Sequence, residues 1–256
     1  MPYITLGDPT AEATLKLIRI LDESGADIME LGIPYSDPLA DGPTIQASHQ
    51  RSLSAGITTD DALRLVKEAR IITRKPLVLL TYYNLILQRG VKRFFRDAAT
   101  VGVNGVIVPD LPVEESSEVL KTSVKCGIDL IYLVAPTTDN RRLQKILQAS
   151  RGFIYLVALL GVTGVRNTLS SLTRETITRI GRHAHGRIPV AVGFGISQPS
   201  HVKEVLSAGA DGAIVGSAII DLYAAHLGRP EVGFKAVAEF ARELKAATLP
   251  SRSGGN

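Results

Sequence analysis

Two carboxylates and a handful of glycines carry the chemistry this chain can do. Glu30 closes the apolar run Asp27–Leu31, and side chains alternate along a strand, so it shares a face with Ile28 opposite Met29 and Leu31. A carboxyl among apolar neighbours is pushed toward its neutral form, which suits proton transfer near neutral pH. Asp41 follows in Pro38-Leu39-Ala40-Asp41-Gly42-Pro43, a loop that its prolines and glycine stiffen. Two carboxylates in different settings can divide acid and base labour. A salt-bridged strand-end Glu and a turn-forming Asp-Gly-Pro use the same residue types, and type alone leaves both readings open.

Glycines mark a possible anion site. The chain carries Gly161-Val162-Thr163-Gly164, Gly193-Phe194-Gly195-Ile196-Ser197 and Gly216-Ser217-Ala218-Ile219, the last leading into a short helix. Backbone N–H groups approach an anion closely where no Cβ intrudes, and a helix N-terminus adds partial positive charge. Two such turns at the ends of the last two strands fit a phosphate cradle; tight packing is the other use of glycine there. Elsewhere the chemistry thins out. His183 and His185 lack companion ligands, and His49, His201 and His226 read as isolated, so no metal site is expected. Cys126 falls at a helix end, away from the loops that follow strands. No Gly-x-x-x-x-Gly-Lys-Ser/Thr loop occurs and no Gly-x-Gly-x-x-Gly follows a strand, which leaves nucleotide cofactors unsupported.

Short β-branched runs alternate with amphipathic segments from end to end. Strands are expected near Tyr3–Thr5, Asp27–Leu31, Leu77–Tyr82, Gly105–Val108, Leu130–Val134, Phe153–Val157, Val190–Val192 and Gly212–Val215. Helical patterns cover Ala11–Ser24, Thr59–Ile72, Val91–Val101, Ser116–Cys126, Arg141–Ser150, Leu172–His183, His201–Ala208 and Val232–Ala246. Thr-Thr-Asp-Asp before Ala62 reads as a helix cap with acid in the first turn. Gly25, Gly102, Gly127 and Gly209 each sit between a helix and the next strand. Eight strands in strict alternation, buried on both faces, point to a parallel (β/α)8 barrel, with an open doubly wound sheet as the alternative. In such a barrel the active site lies in the loops after the strands. One domain over residues 1–247 is expected, followed by a polar, Gly/Ser-rich tail at 248–256 expected to be disordered.

Composition excludes several classes. With 45% hydrophobic residues in 256, a disordered chain is excluded. Apolar stretches such as Ile154–Val162 fall short of the ~18 residues that suggest a membrane span. A net charge of +4 is spread along a chain without Trp, so no basic, aromatic-rich stripe favours nucleic acid. One cysteine and no recognisable secretory leader lead to an expected cytoplasmic home, or a plastid stroma if a transit peptide has been removed.

The loop after the second strand is the most specific part of the sequence. Glu30 followed by Leu31-Gly32-Ile33-Pro34-Tyr35-Ser36-Asp37-Pro38-Leu39-Ala40-Asp41-Gly42-Pro43-Thr44-Ile45-Gln46 resembles the signature of the tryptophan synthase alpha chain family. Thr5-Leu6-Gly7-Asp8-Pro9, Pro109-Asp110-Leu111-Pro112 and the three glycine turns follow in that family's order, so the similarity covers almost the whole chain. The resemblance implies a (β/α)8 lyase that splits indole-3-glycerol phosphate into indole and glyceraldehyde 3-phosphate by a retro-aldol step. By it, Glu30 matches the general acid/base, Asp41 the carboxylate that stabilises positive charge on the indole nitrogen, and Tyr155 a supporting tyrosine. Gly164, Gly195, Gly216 and Ser217 match phosphate-binding positions. Tyr3, Leu80, Ile107, Phe194 and Ile214 match the indole pocket, and Thr163 a loop residue that meets Asp41 on closure.

The same resemblance implies a partner. The family's alpha chain pairs with a beta chain, two of each, and the beta chain carries pyridoxal phosphate and condenses indole with serine. Pro34, Asp37, Asn84 and Asp110 match positions of that contact and its signalling, and no cofactor is expected in this chain. There are two departures. Members usually carry a helix and the start of the first strand ahead of Pro2-Tyr3, so the expected barrel lacks that helix and has a barer floor. Where members commonly show a serine, this chain has Ala158-Leu159-Leu160, which bears on closure of the sixth loop. A stand-alone lyase without a beta chain, and a non-catalytic barrel kept as a binding partner, are the alternatives.

Overall fold

Strands such as Leu77-Val78-Leu79-Leu80 are apolar at every position because each of their faces meets protein: the whole segment is buried. The computed structural model describes residues 1–158, 169–184, 186–193 and 195–249. In chain order the strands are β1 (Tyr3–Thr5), β2 (Met29–Gly32), β3 (Leu77–Leu80), β4 (Gly105–Ile107), β5 (Asp129–Ile131), β6 (Leu133–Val134), β7 (Ile154–Val157), β8 (Val190–Gly193) and β9 (Gly212–Ala213). The helices are α1 (Ala11–Glu23), α2 (Pro43–Ser54), α3 (Thr59–Ile72), α4 (Tyr83–Arg89), α5 (Val91–Thr100), α6 (Ser117–Lys125), α7 (Asn140–Ala149), α8 (Ser171–Ala184), α9 (Pro199–Ser207), α10 (Ser217–Ala224) and α11 (Pro230–Ala247).

All strand pairs are parallel, running β1 to β5 and β6 to β9. The single run expected at Leu130–Val134 is two segments, because the strand changes partner at Tyr132. Its first half pairs with β4 and its second with β7, and the Tyr132 carbonyl accepts the Tyr155 N–H at 3.1 Å. The last strand returns to the first: Tyr3 N–H donates to the Val215 carbonyl (2.9 Å), and Val215 N–H to that of Met1 (3.0 Å). The chain is therefore a closed (β/α)8 barrel and not an open sheet.

Local signals explain the helix ends. Thr10 caps α1 by accepting the Ala13 N–H, and Thr58 with Asp61 forms a reciprocal capping box on α3. The four glycines expected between helix and strand all take positive φ. Helix α2 was not expected from the sequence. Pro43 opens it, but its buried positions are Ser48, His49 and Ser52, so it carries no apolar stripe. Those polar side chains seat it on β1: Ser48 and Thr5 hydroxyls lie 2.6 Å apart, and Ser52 donates to the Leu6 carbonyl at 2.7 Å.

One further tie spans three elements. The fully buried Asp8 carboxylate accepts two bonds from Arg51 of α2 (2.7 and 2.8 Å) and one from the Tyr223 hydroxyl of α10 (2.5 Å). Among the described residues no helix is long and apolar enough to cross a membrane.

Candidate active site

Alternation along the strands sends every second side chain inward, in two tiers. Ile28, Val78, Ile131 and Ala191 face a lower cavity at the strand starts. Tyr3, Glu30, Leu80, Ile107, Leu133, Tyr155 and Ile214 face an upper cavity of about 300 Å³ at the strand ends. Glu30 and Ile28 thus share the interior face. Asp41, Ile45, Gly195, Gly216 and Ser217 complete the upper cavity from the loops and from the start of α10.

Glu30 is 1% exposed, and its Oε2 has no hydrogen-bond partner among the described residues. Burial first, and the Asp41 charge second, push its carboxyl up to about 8; the N-terminal ammonium pulls weakly the other way. At neutral pH the group therefore carries a proton beside an apolar cavity. Burial raises the Tyr3 and Tyr155 hydroxyls well above the usual tyrosine value, with neighbouring carboxylates adding to it. Tyr155 stands in its place because Gly193 opposite lacks a side chain: a Cβ there would fall 2.4 Å from the Tyr155 hydroxyl.

Asp41 is held differently. The Tyr82 hydroxyl donates to its Oδ2 at 2.8 Å, and His49 Nε2 lies 3.3 Å from the same oxygen. Tyr82 is itself fixed, accepting the Ala40 N–H at 3.1 Å and stacking on Tyr35 with centroids 4.8 Å apart. Gln46 donates to the Asp41 carbonyl at 2.8 Å and pins the loop. One carboxyl is dry and neutral, the other donor-bound: the division of settings that lets one move protons and the other offer charge.

Gly216 immediately precedes α10, Ser217 opens it, and Gly195 takes φ +73° on the same rim. A Cβ on Gly216 would sit 3.4 Å from the Tyr3 ring and 3.6 Å from Ile45, at the cavity wall. Thr163, Gly164 and Phe194 lie outside the described residues, as do Leu159, Leu160 and residues 250–256 of the tail. Ala158 is buried and extends the pairing of β7, its N–H donating to the Gly193 carbonyl at 2.8 Å.

The four positions matched to a partner contact follow β2, β3 and β4: Pro34 and Asp37 lie on the loop after β2, Asn84 in the first turn of α4, and Asp110 on the loop after β4. Pro34 is buried, whereas Asp37, Asn84 and Asp110 are exposed. These segments interlock: Tyr83 N–H at the start of α4 donates to Asp110 Oδ1 at 2.9 Å, and Asn84 Nδ2 to the Tyr35 hydroxyl at 3.4 Å. Leu39, 92% exposed, adds a bare apolar side chain beside them.

Sequence reasoning missed Tyr82, Ile45, Leu133 and above all His49. His49 reads as isolated in the sequence and is the residue packed against Asp41. Helical spacing of Ile45, His49 and Ser52 after Pro43 was the signal that could have placed it. Among the described residues no cluster of three or more His, Cys, Asp or Glu could hold a metal ion.

The family model for "Tryptophan synthase alpha chain" matches residues 1–249. A tryptophan synthase alpha chain from Cyanothece sp. is 48% identical over 98% of this chain and 92% of its own length. One from Methanothermobacter thermautotrophicus is 47% identical over 96% and 91%. Among solved structures, one concerning mutual activation of the tryptophan synthase α2β2 complex of Pyrococcus furiosus superposes with TM-score 0.89 at 41% identity, covering 96% of each chain.

Proposed function

Because the chain belongs to the tryptophan synthase alpha chain family, we propose that it splits indole-3-glycerol phosphate into indole and glyceraldehyde 3-phosphate. On this reading it works as the alpha subunit of a two-component synthase. One observation carries the mechanism: Glu30 is a buried, protonated carboxyl at the cavity wall whose Oε2 is unpartnered among the described residues. Carbon–carbon cleavage here needs indole C3 protonated and the adjacent glycerol hydroxyl deprotonated. A neutral carboxyl does both in turn. Glu30 gives its proton to C3, and the ring nitrogen takes up the positive charge. The new carboxylate then removes the hydroxyl proton, the bond to C3 breaks as the aldehyde forms, and the electron pair returns to the ring. Glu30 ends protonated, as it began.

Asp41 faces the ring nitrogen with a fixed negative charge, matched to the charge that develops there. Tyr155 supports Glu30 from across the cavity, and Tyr3, Leu80, Ile107, Phe194 and Ile214 wall the indole ring. Gly164, Gly195, Gly216 and Ser217 hold the phosphate with backbone N–H groups and the α10 terminus; Thr163 meets Asp41 on closure. The chain's own side chains run this step, and pyridoxal phosphate belongs to the beta chain. The exposed lip bearing Asp37, Leu39, Asn84 and Asp110 is where that partner docks, next to Pro34. The bacterial and archaeal relatives fit a cytoplasmic enzyme.

Steady-state indole release by the purified chain, with and without a beta chain, tests the reading. Strong activation is expected; full activity alone would favour a stand-alone lyase, and no turnover in either arm a non-catalytic barrel. Glu30→Gln should abolish cleavage while glycerol 3-phosphate still binds. Substantial residual turnover would refute the proton-transfer role.

A further inference from the structure

The hydrogen bonds around His49 leave its imidazole a single arrangement. Tyr35 N–H points at His49 Nδ1 at 3.1 Å, and a backbone N–H can only donate, so Nδ1 is the acceptor and the ring proton is on Nε2. The far end of the network demands the same direction. The Ser48 hydroxyl donates to the Ile45 carbonyl (2.6 Å), so it accepts from Thr5 Oγ1 (2.6 Å). Thr5 then accepts from the Tyr3 hydroxyl (3.2 Å), and Tyr3 accepts from His49 Nε2–H (3.5 Å). A donor at one end and a carbonyl at the other polarise the row, and every member but Tyr35 and Ile45 contributes a buried side chain.

Nε2–H is also 3.3 Å from Asp41 Oδ2, the oxygen that accepts from Tyr82. The side-chain donors near Asp41 thus gather on Oδ2. Among the described residues none is bonded to Oδ1, and Asp41 lines the cavity.

We propose that His49 is a positioning residue for the cleavage reaction: as the Nε2–H tautomer it shares its proton between Asp41 Oδ2 and the Tyr3 hydroxyl, turning Asp41 Oδ1 toward the substrate and the Tyr3 ring flat against the cavity. This rests on the role given to Asp41 above. His49 touches no substrate; it acts through Asp41. The Tyr3 proton points to Thr5, away from the cavity, which makes Tyr3 a wall and not an acid.

Three readouts test this together. In 15N NMR of the wild-type chain at neutral pH, the His49 ring should show Nε2 protonated and Nδ1 bare; the opposite tautomer overturns the proposal. His49→Gln places an amide N–H near the Nε2 position, and His49→Asn places only an acceptor near Nδ1. The Gln variant should keep kcat within about threefold, while the Asn variant loses about 10- to 100-fold, the cost of a misplaced reacting group. KM should stay within about twofold in both, since the phosphate site is untouched. Equal losses in the two variants, or a loss carried by KM or by thermal stability, overturn the proposal. Asp41→Asn is run alongside: if it retains wild-type turnover the reading of Asp41 fails, and if it is inactive while His49→Asn is not, only the role of His49 fails.

Discussion

Replacing Glu30 by Gln should cost the enzyme its reaction and make the fold more stable at neutral and higher pH, by an amount that grows as pH rises. The Glu30 carboxyl ionises near 8 in the folded barrel against an ordinary 4.5. The unfolded chain therefore releases this proton first. The folded state keeps its full share of stability below pH 4.5, gives it up as pH rises to about 8, and loses no more above that. At ~1.4 kcal/mol for each pH step, the loss is about 3 kcal/mol by pH 7 and about 5 kcal/mol above pH 8. Gln cannot ionise, so it escapes this loss, although its buried amide still lacks a partner at the Oε2 side and gives back roughly 1 kcal/mol. Urea unfolding of both proteins at pH 5, 7 and 8.5 measures the difference directly, and other titrating groups cancel between them. The expected Glu30→Gln advantage grows by several kcal/mol across that range. A difference that stays flat within ~1 kcal/mol, or that shrinks as pH rises, would refute both the dry setting of Glu30 and the claim that it starts the reaction protonated.

The same ionisation should shape catalysis: kcat/KM falls as pH rises through about 8, because the free enzyme then loses the proton that C3 must receive. A profile flat to pH 9.5 would contradict it. Gly216→Val should raise KM about tenfold or more, since a branched side chain would start at the wall made by Tyr3 and Ile45 and spread into the rim of the proposed phosphate site; a competition assay with glycerol 3-phosphate reads the loss. Gly193→Ala should lower kcat about tenfold or more while leaving phosphate binding near wild type, because even a methyl group there meets the Tyr155 hydroxyl. Unchanged kcat would remove Tyr155 from the site.

Much of this barrel was legible in the sequence because its strands are apolar on both faces and its helices end on glycines. Glu30 was legible for the same reason, as a charge closing an apolar run. Helix α2 was not, because what it buries is polar: Ser48 and Ser52 bond to Thr5 and the Leu6 carbonyl at β1, and His49 to the loop after β2, a pattern that periodicity in apolar residues cannot register. His49 looked solitary because its partners are a backbone N–H and a carboxylate on a loop, brought near only by the fold. Gly193 looked like part of an anion cradle, whereas its missing side chain makes room for Tyr155. The switch of partners at Tyr132 depends on which neighbours the barrel offers, and Leu130–Val134 reads as one strand without them.

The buried Asp8 gives the two halves of the site a common mounting. Arg51 belongs to the helix that carries His49, and Tyr223 to the helix whose first residue, Ser217, lines the upper cavity where the phosphate is proposed to sit. Both helices bond to one carboxylate, which ties the helix beside Asp41 to the helix proposed to grip the anion. On the proposed function, the spacing between a substrate's tail and its scissile bond is then set in part by a residue that never meets it.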